Sequence, residues 1–127
     1  MTTARALASA VLGALLAVSG CGRAEAERAA EQLTGGDPAR GRVAIQKYGC
    51  AACHTIPGIA GANGLVGPPL TGVATRVYLA GVLANTPDNM VRWITHPRQV
   101  DEKTAMPEMG VTEREARDIA AYLYSIR

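Results

Sequence analysis

The sequence predicts an all-α domain of three main helices joined by a long glycine-rich loop. Three observations carry that prediction. Apolar residues recur at helical spacing in three segments, each opened by a capping residue. Glycine and proline concentrate between the first and second of these segments. No segment alternates apolar and polar residues as a half-buried strand does.

The chain opens with an address. Residues 1–20 read as a secretory signal: Arg5 charges the front, and Ala6 to Val18 are mostly Ala, Leu and Val. That stretch is too short to cross a bilayer core of ~30 Å as a helix. It ends in Val18-Ser19-Gly20-Cys21, which resembles the bacterial lipobox, so Cys21 is expected to be lipidated and to become the new N-terminus. The alternative is cleavage after Ala24 or Ala26, which discards Cys21. Lipidation is preferred because an exported protein seldom keeps an unpaired exposed cysteine. Residues 21–36 then form a tether; its Ala, Glu and Arg favour some helix, but it has no apolar stripe to dock. As a spacer it reaches up to ~50 Å extended, or roughly 22 Å as a helix.

The domain proper is expected over residues 37–127. Asp37-Pro38 opens the first helix, with Asp as cap and Pro in the first turn. Gly41, Ala44, Ile45 and Tyr48 share one face, and a glycine there implies that another backbone crosses close by. From Thr55 to Asn85 the chain reads as loop, with the Pro68-Pro69 pair inside it. So long a loop is tolerable in a compact domain when it wraps a bound group. The second helix runs from about Pro87 to Thr95, capped by Thr86 and stopped by Pro97, with Met90, Trp93 and Ile94 facing inward. The last begins at Thr112-Glu113-Arg114-Glu115, a capping box, with an inner stripe of Ala116, Ile119, Ala120 and Leu123 flanked by Tyr122.

Composition narrows function. The 127 residues include no Phe, one Trp and four Tyr, and a domain this small buries only about 60–65% of its unfolded-chain surface. It is short of core, and a large rigid cofactor would fill the gap. The 13 Lys and Arg nearly balance the 11 Asp and Glu without a basic run, which argues against a nucleic-acid partner.

One motif is strong. Cys50-Ala51-Ala52-Cys53-His54 places two thiols on one turn, where each can add to a vinyl group on one porphyrin edge while the adjacent imidazole binds iron. A redox dithiol would want a strand–turn–helix context and a zinc site a second ligand pair, and neither is visible. An imidazole ligand fixes its other ring nitrogen on an acceptor, and Gly67-Pro68-Pro69-Leu70 offers the Pro68 carbonyl. The sixth ligand must come from Met90, His96, Met106 or Met109, or the position stays open. Met90 sits on an apolar helix face and His96 at a helix end. Met106 lies in the Lys103–Pro107 loop that Pro107 stiffens, ahead of Met109 close by.

From about Gly36 to the C-terminus these residues resemble a class I c-type cytochrome carrying one haem. The matches are Gly41, Cys50–His54, Gly67-Pro68, Thr104-Ala105-Met106-Pro107 and Ile119-Ala120-Ala121-Tyr122-Leu123. The resemblance implies a cytochrome c fold around one covalent haem c bound through Cys50 and Cys53. It implies His54 and Met106 as metal ligands, Pro68 and Thr104 in the cofactor site, and Gly41 against Tyr122. More narrowly, Asn85 to Trp93 resembles cytochrome domains fused to haem–copper oxidase subunit II. That likeness implies Arg76, Tyr78 and Trp93 at the haem propionates. The copper-binding domain and two transmembrane helices of that subunit have no counterpart, so lipid on Cys21 is expected to hold the cytochrome at the membrane.

The expected function is therefore electron transfer, not catalysis, by a tethered cytochrome on the periplasmic or extracytoplasmic side of a bacterial membrane. Its expected partners are redox proteins of a respiratory chain, a terminal oxidase or an upstream reductase. The rival readings are a catalytic or sensory haem with an open distal position and an accessory subunit that works only inside a complex.

Overall fold

Helix α1 covers residues 22–34 at the start of the computed structural model, which describes residues 22–126. The signal and Cys21 lie outside these described residues. α1 ends where Gly35, at φ +72°, donates its N–H to the Glu31 carbonyl at 2.8 Å, the left-handed stop that glycine adopts without cost. The segment expected as an undocked tether is packed down at this end. Ala30 is 3% exposed and the Thr34 hydroxyl is buried against the Ala30 carbonyl at 2.7 Å. A Cβ on Gly36 would stand 2.1 Å from the Arg117 carbonyl oxygen. Docking through Ala, Thr and Gly leaves no apolar stripe in the sequence, because close approach of backbones does the work of large side chains.

Helix α2 spans Pro38–Lys47 and starts as its sequence predicts, with Asp37 accepting from the Arg40 N–H and Pro38 in the first turn. It packs chiefly against α5, Glu113–Ser125, where Thr112 caps by accepting from the Glu115 N–H. The crossing is at Gly41: a Cβ there would lie 1.9 Å from the Asp118 carbonyl oxygen and 3.0 Å from Tyr122 Cβ. The expected pairing of Gly41 with Tyr122 is therefore real, and the tighter contact is with the α5 backbone itself.

Between them lie short 3₁₀ turns at Cys50–Ala52 and Val73–Thr75 and a hairpin of β1, Tyr78–Leu79, with β2, Leu83–Ala84. Helix α3, Pro87–Thr95, is capped by Thr86, and Pro97 both ends it and opens a single-turn helix α4, Pro97–Val100. Strands two residues long leave the all-α expectation intact. The core joins Ala44 and Ile45 of α2, Met90, Val91 and Ile94 of α3, and Ala116, Ile119, Ala120 and Leu123 of α5.

The long loop supplies core as well. Ile56, Ile59, Ala62 and Val73 are all buried. Backbone bonds fold it back on itself: Gly67 N–H to the Cys53 carbonyl at 2.8 Å and Leu70 N–H to the Thr55 carbonyl at 2.9 Å. Farther on, Asn85 donates its amide to the carbonyls of Val73 and Arg76, both at 2.8 Å, and accepts from the Tyr124 hydroxyl at 2.6 Å. One side chain thus ties this loop to the end of α5.

Candidate functional site

Gly49, at φ +69°, turns the chain out of α2 and into the Cys50–Ala52 turn. His54 N–H then donates to the Cys50 carbonyl at 3.0 Å, so two thiols and an imidazole project from one short, internally bonded turn. Both cysteines are free and half-buried. Burial pushes the Cys50 thiol up from its ordinary value, the opposite of the lowered pKa that activates redox dithiols. Among the described residues no three His, Cys, Asp or Glu side chains gather as a metal site would require. Neither observation favours a dithiol enzyme or a zinc centre.

The imidazole is held from two sides. His54 Nδ1 lies 2.7 Å from the Pro68 carbonyl oxygen. A carbonyl can only accept, so Nδ1 carries the proton and Nε2 keeps a free lone pair for a metal. Gly67 lies against the ring: a Cβ there would sit 2.3 Å from Cε1. On the other flank Gly64 abuts the attachment turn, where a Cβ would be 2.6 Å from the Ala52 carbonyl oxygen. The loop glycines thus clear room for backbone and imidazole to meet. A free, oriented nitrogen beside two thiols on one turn is the donor set that covalent haem needs, and the residues fit it.

The four sulfur and nitrogen candidates for the opposite side separate by burial. Met90 is 2% exposed in the core, and His96 is an exposed cap between α3 and α4. Met109 is 39% exposed. Met106 is half-buried in the 101–112 loop, and its N–H donates to the Thr104 hydroxyl at 3.1 Å. Thr104 in turn donates its N–H to the Asp101 carbonyl at 3.1 Å. Thr104 thereby shapes the turn that presents Met106.

Arg76 reaches back over the Pro68-Pro69 corner, donating from Nη2 to the Pro69 carbonyl at 2.5 Å and the Thr71 carbonyl at 3.4 Å. Tyr78 is exposed on β1, and Trp93 is half-buried on α3, against which β1 packs. The structure brings Arg76 to the His54 loop, while Tyr78 and Trp93 lie on the neighbouring hairpin and helix.

Sequence reasoning missed the polar residues that hold this frame. Asp118 is 3% exposed and accepts from the Asp37 N–H at 2.8 Å and from the Arg40 guanidinium at 2.9 Å. Burial pushes its carboxyl up, but Arg40 and the Asp37 N–H together outweigh burial and hold it below its ordinary value. Glu115 accepts from Lys47 at 2.6 Å, from the Tyr48 hydroxyl at 2.5 Å and from the Thr112 hydroxyl at 2.7 Å. The Lys47 bond first, then those from Tyr48 and Thr112, push its carboxyl down to about 2. An aspartate beside Ile119 in an apolar stripe was the available signal for the first. The capping box marks Thr112 as a partner of the second, but nothing in the sequence marks Lys47 or Tyr48.

The family profile described as "Cytochrome C oxidase, cbb3-type, subunit III" matches residues 36–123. The chain is also similar to a protein named "Cytochrome c oxidase subunit 2" from Alkalihalophilus pseudofirmus, 30% identical over 105 residues, which is 82% of this chain and 29% of that protein. The chain thus spans less than a third of the length of this curated relative. No solved structure matches significantly.

Proposed function

Because the chain belongs to this cytochrome c family and is an electron-transfer protein carrying covalent haem c, we propose that it works as a membrane-tethered respiratory carrier, delivering electrons to a haem–copper oxidase. Cys50 and Cys53 would hold the cofactor as thioethers, and His54 and Met106 would ligate its iron. The bound haem supplies a one-electron Fe(III)/Fe(II) couple. The observation that carries the reading is the His54 Nδ1–Pro68 hydrogen bond, with Gly67 against the ring and both thiols on the same turn. It fixes the imidazole before metal arrives, so little has to reorganise when the electron does.

Met106 would supply a thioether, which favours Fe(II) and suits a carrier near the oxidising end of a chain. Thr104 sets the Met106 turn, and Arg76, Tyr78 and Trp93 would bind the propionates. No residue is called on as general acid, base or nucleophile. Lipid on Cys21 holds the protein at the extracytoplasmic face of a bacterial membrane. Because α1 is packed onto the domain by its last turn, the haem is kept close to that surface. Confinement of this kind raises the effective concentration at a membrane partner to about the millimolar range.

Oxygen uptake by oxidase-containing membranes tests the reading. Membranes carrying the full protein should respire faster than membranes carrying Cys21→Ser at matched low concentration, and both faster than membranes with neither. Equal rates for the first two would remove the role of tethering. No oxidation of either form would remove the oxidase.

A further inference from the structure

This inference rests on the reading of His54 as an iron ligand and concerns what keeps its acceptor in place. Pro68 and Pro69 have no N–H, so the hydrogen-bonding backbone groups of this corner are its two carbonyls alone. The Pro68 carbonyl meets the imidazole Nδ1 at 2.7 Å. The Pro69 carbonyl accepts from Arg76 Nη2 at 2.5 Å, and the same nitrogen reaches the Thr71 carbonyl at 3.4 Å. The residue next to the imidazole's acceptor is thus braced by a long side chain. Such a brace is only as firm as the backbone that carries it.

Asn85 makes that backbone firm. Its Nδ2 donates to the Val73 and Arg76 carbonyls, both at 2.8 Å, across the two ends of the 3₁₀ turn that delivers Arg76. The Arg76 N–H closes the same turn on the Val73 carbonyl at 3.2 Å. The Asn85 backbone N–H donates to the Val77 carbonyl at 2.9 Å. One residue therefore grips three carbonyls around Arg76. Carbonyls can only accept, so the amide nitrogen must face them and the amide oxygen is left for a donor. That donor is the Tyr124 hydroxyl, at 2.6 Å from Oδ1.

We infer that Asn85 is a positioning residue for the iron centre, acting through Arg76 on the corner that holds His54. A polar chain runs from α5 through Tyr124, Asn85 and Arg76 to the Pro69 carbonyl, one residue from the carbonyl that orients the imidazole. The chemistry of the position is narrow. Aspartate would set a carboxylate against two carbonyl oxygens, and leucine would leave both carbonyls without this donor. Without the amide, Arg76 regains rotamer freedom and Pro69 loses its brace. The Pro68 carbonyl then turns more readily from the ring, and the imidazole is held less firmly in the orientation that presents Nε2.

The test is hydrogen exchange at His54 Nδ1–H in the ferrous holoprotein, followed by NMR and expressed relative to the backbone amides of Ile119 and Leu123 in the α5 core. General loosening would speed all of them together. In Asn85→Ala the relative rate should rise by about fivefold or more, the factor set by loss of about one hydrogen bond. Tyr124→Phe keeps the ring but frees the amide to turn, and should raise it by about threefold. In an Arg76→Ala background Asn85→Ala should add less than about twofold, because the link between them is already gone. Asn89→Ala loses a comparable amide bond, to the Ala84 carbonyl at 2.9 Å, but lies off the chain and should match the unaltered protein. An unchanged relative rate in Asn85→Ala overturns the proposal. So does a full effect that persists in the Arg76→Ala background, or an equal rise in Asn89→Ala. Should Asn85→Ala fail to assemble, Tyr124→Phe decides in its place, and an unchanged rate there overturns the proposal equally. Absence of haem-shifted His54 ring protons in the unaltered protein is a different result: it removes His54 from the iron, and the proposal with it.

Discussion

Replacing Gly67 by alanine should damage the imidazole side of the site while leaving thiols and sulfur ligand in place. The new Cβ would lie 2.3 Å from His54 Cε1, 2.7 Å from Nδ1 and 2.9 Å from Nε2, where ordinary contact begins near 3.4 Å. The ring must withdraw by about 1 Å, or the loop must lift against the Gly67 N–H bond to Cys53. Either movement stretches the 2.7 Å bond from Nδ1 to the Pro68 carbonyl. Overpacking costs about 1–3 kcal/mol and the lost hydrogen bond about 1 kcal/mol, so the holoprotein should lose about 2–4 kcal/mol. A less basic imidazole also stabilises Fe(III) less, so the potential should rise. Gly35→Ala calibrates the backbone part: its φ is +72° but nothing lies within 4 Å of its Cβ, and its cost should be about 1 kcal/mol. Guanidinium unfolding followed by haem absorbance, with potentiometry, measures both effects. A Gly67→Ala protein no less stable than Gly35→Ala, with its potential unchanged, would refute this account of the loop.

Met106→Ala should open the iron to carbon monoxide and lower the potential while Met109→Leu changes little; the reverse pattern in a ligand-binding titration would move the sulfur ligand to Met109. The bonds from Lys47, Tyr48 and Thr112 hold the Glu115 carboxyl down at about 2, below its ordinary 4.5, so its cross-link to Lys47 and Tyr48 is fully present above about 4.5 and fades as pH falls towards 2. Unfolding of Glu115→Gln across that window should show a stability deficit at neutral pH that shrinks in acid, and a deficit independent of pH would exclude the linkage. Gly41→Ala should cost about 3 kcal/mol or more, because its Cβ would meet the α5 backbone at 1.9 Å, and near-native stability in a melt would contradict the tight crossing. Cys21→Ser should leave the protein unlipidated, as mass spectrometry of the mature N-terminus would reveal; an unaltered protein cleaved after Ala24 or Ala26 would overturn the anchor.

Local chemistry was legible in the sequence wherever one residue type serves one geometric need. Asp37, Thr86 and Thr112 open their helices as expected, each accepting the N–H three residues on. The attachment motif and Gly67-Pro68 stood out because thiols, an imidazole and a side-chain-free position are hard to replace. Long-range pairing was not legible. The packed end of α1 depends on buried Ala30, on Thr34, whose carbonyl accepts from Arg117, and on Gly36 against the α5 backbone, and small residues leave no periodic signal. Asn85 holds two carbonyls and the Tyr124 hydroxyl at once, a role set by where the loop returns in space. The inner face of α3 was read with Trp93, yet Val91 is the buried residue and Trp93 only half-buried. A wide aromatic at the edge of a short helix can face the site as readily as the core.

In the proposed carrier His54 and Met106 together leave the iron no open position, and carbon monoxide added to the reduced holoprotein during a potentiometric titration tests this most directly. A single reversible one-electron step, with the same spectrum and midpoint whether or not the gas is present, is the predicted result. A new spectrum and a midpoint displaced by carbon monoxide would show an open position, and would contradict the account in favour of a gas-binding or peroxide-reactive haem.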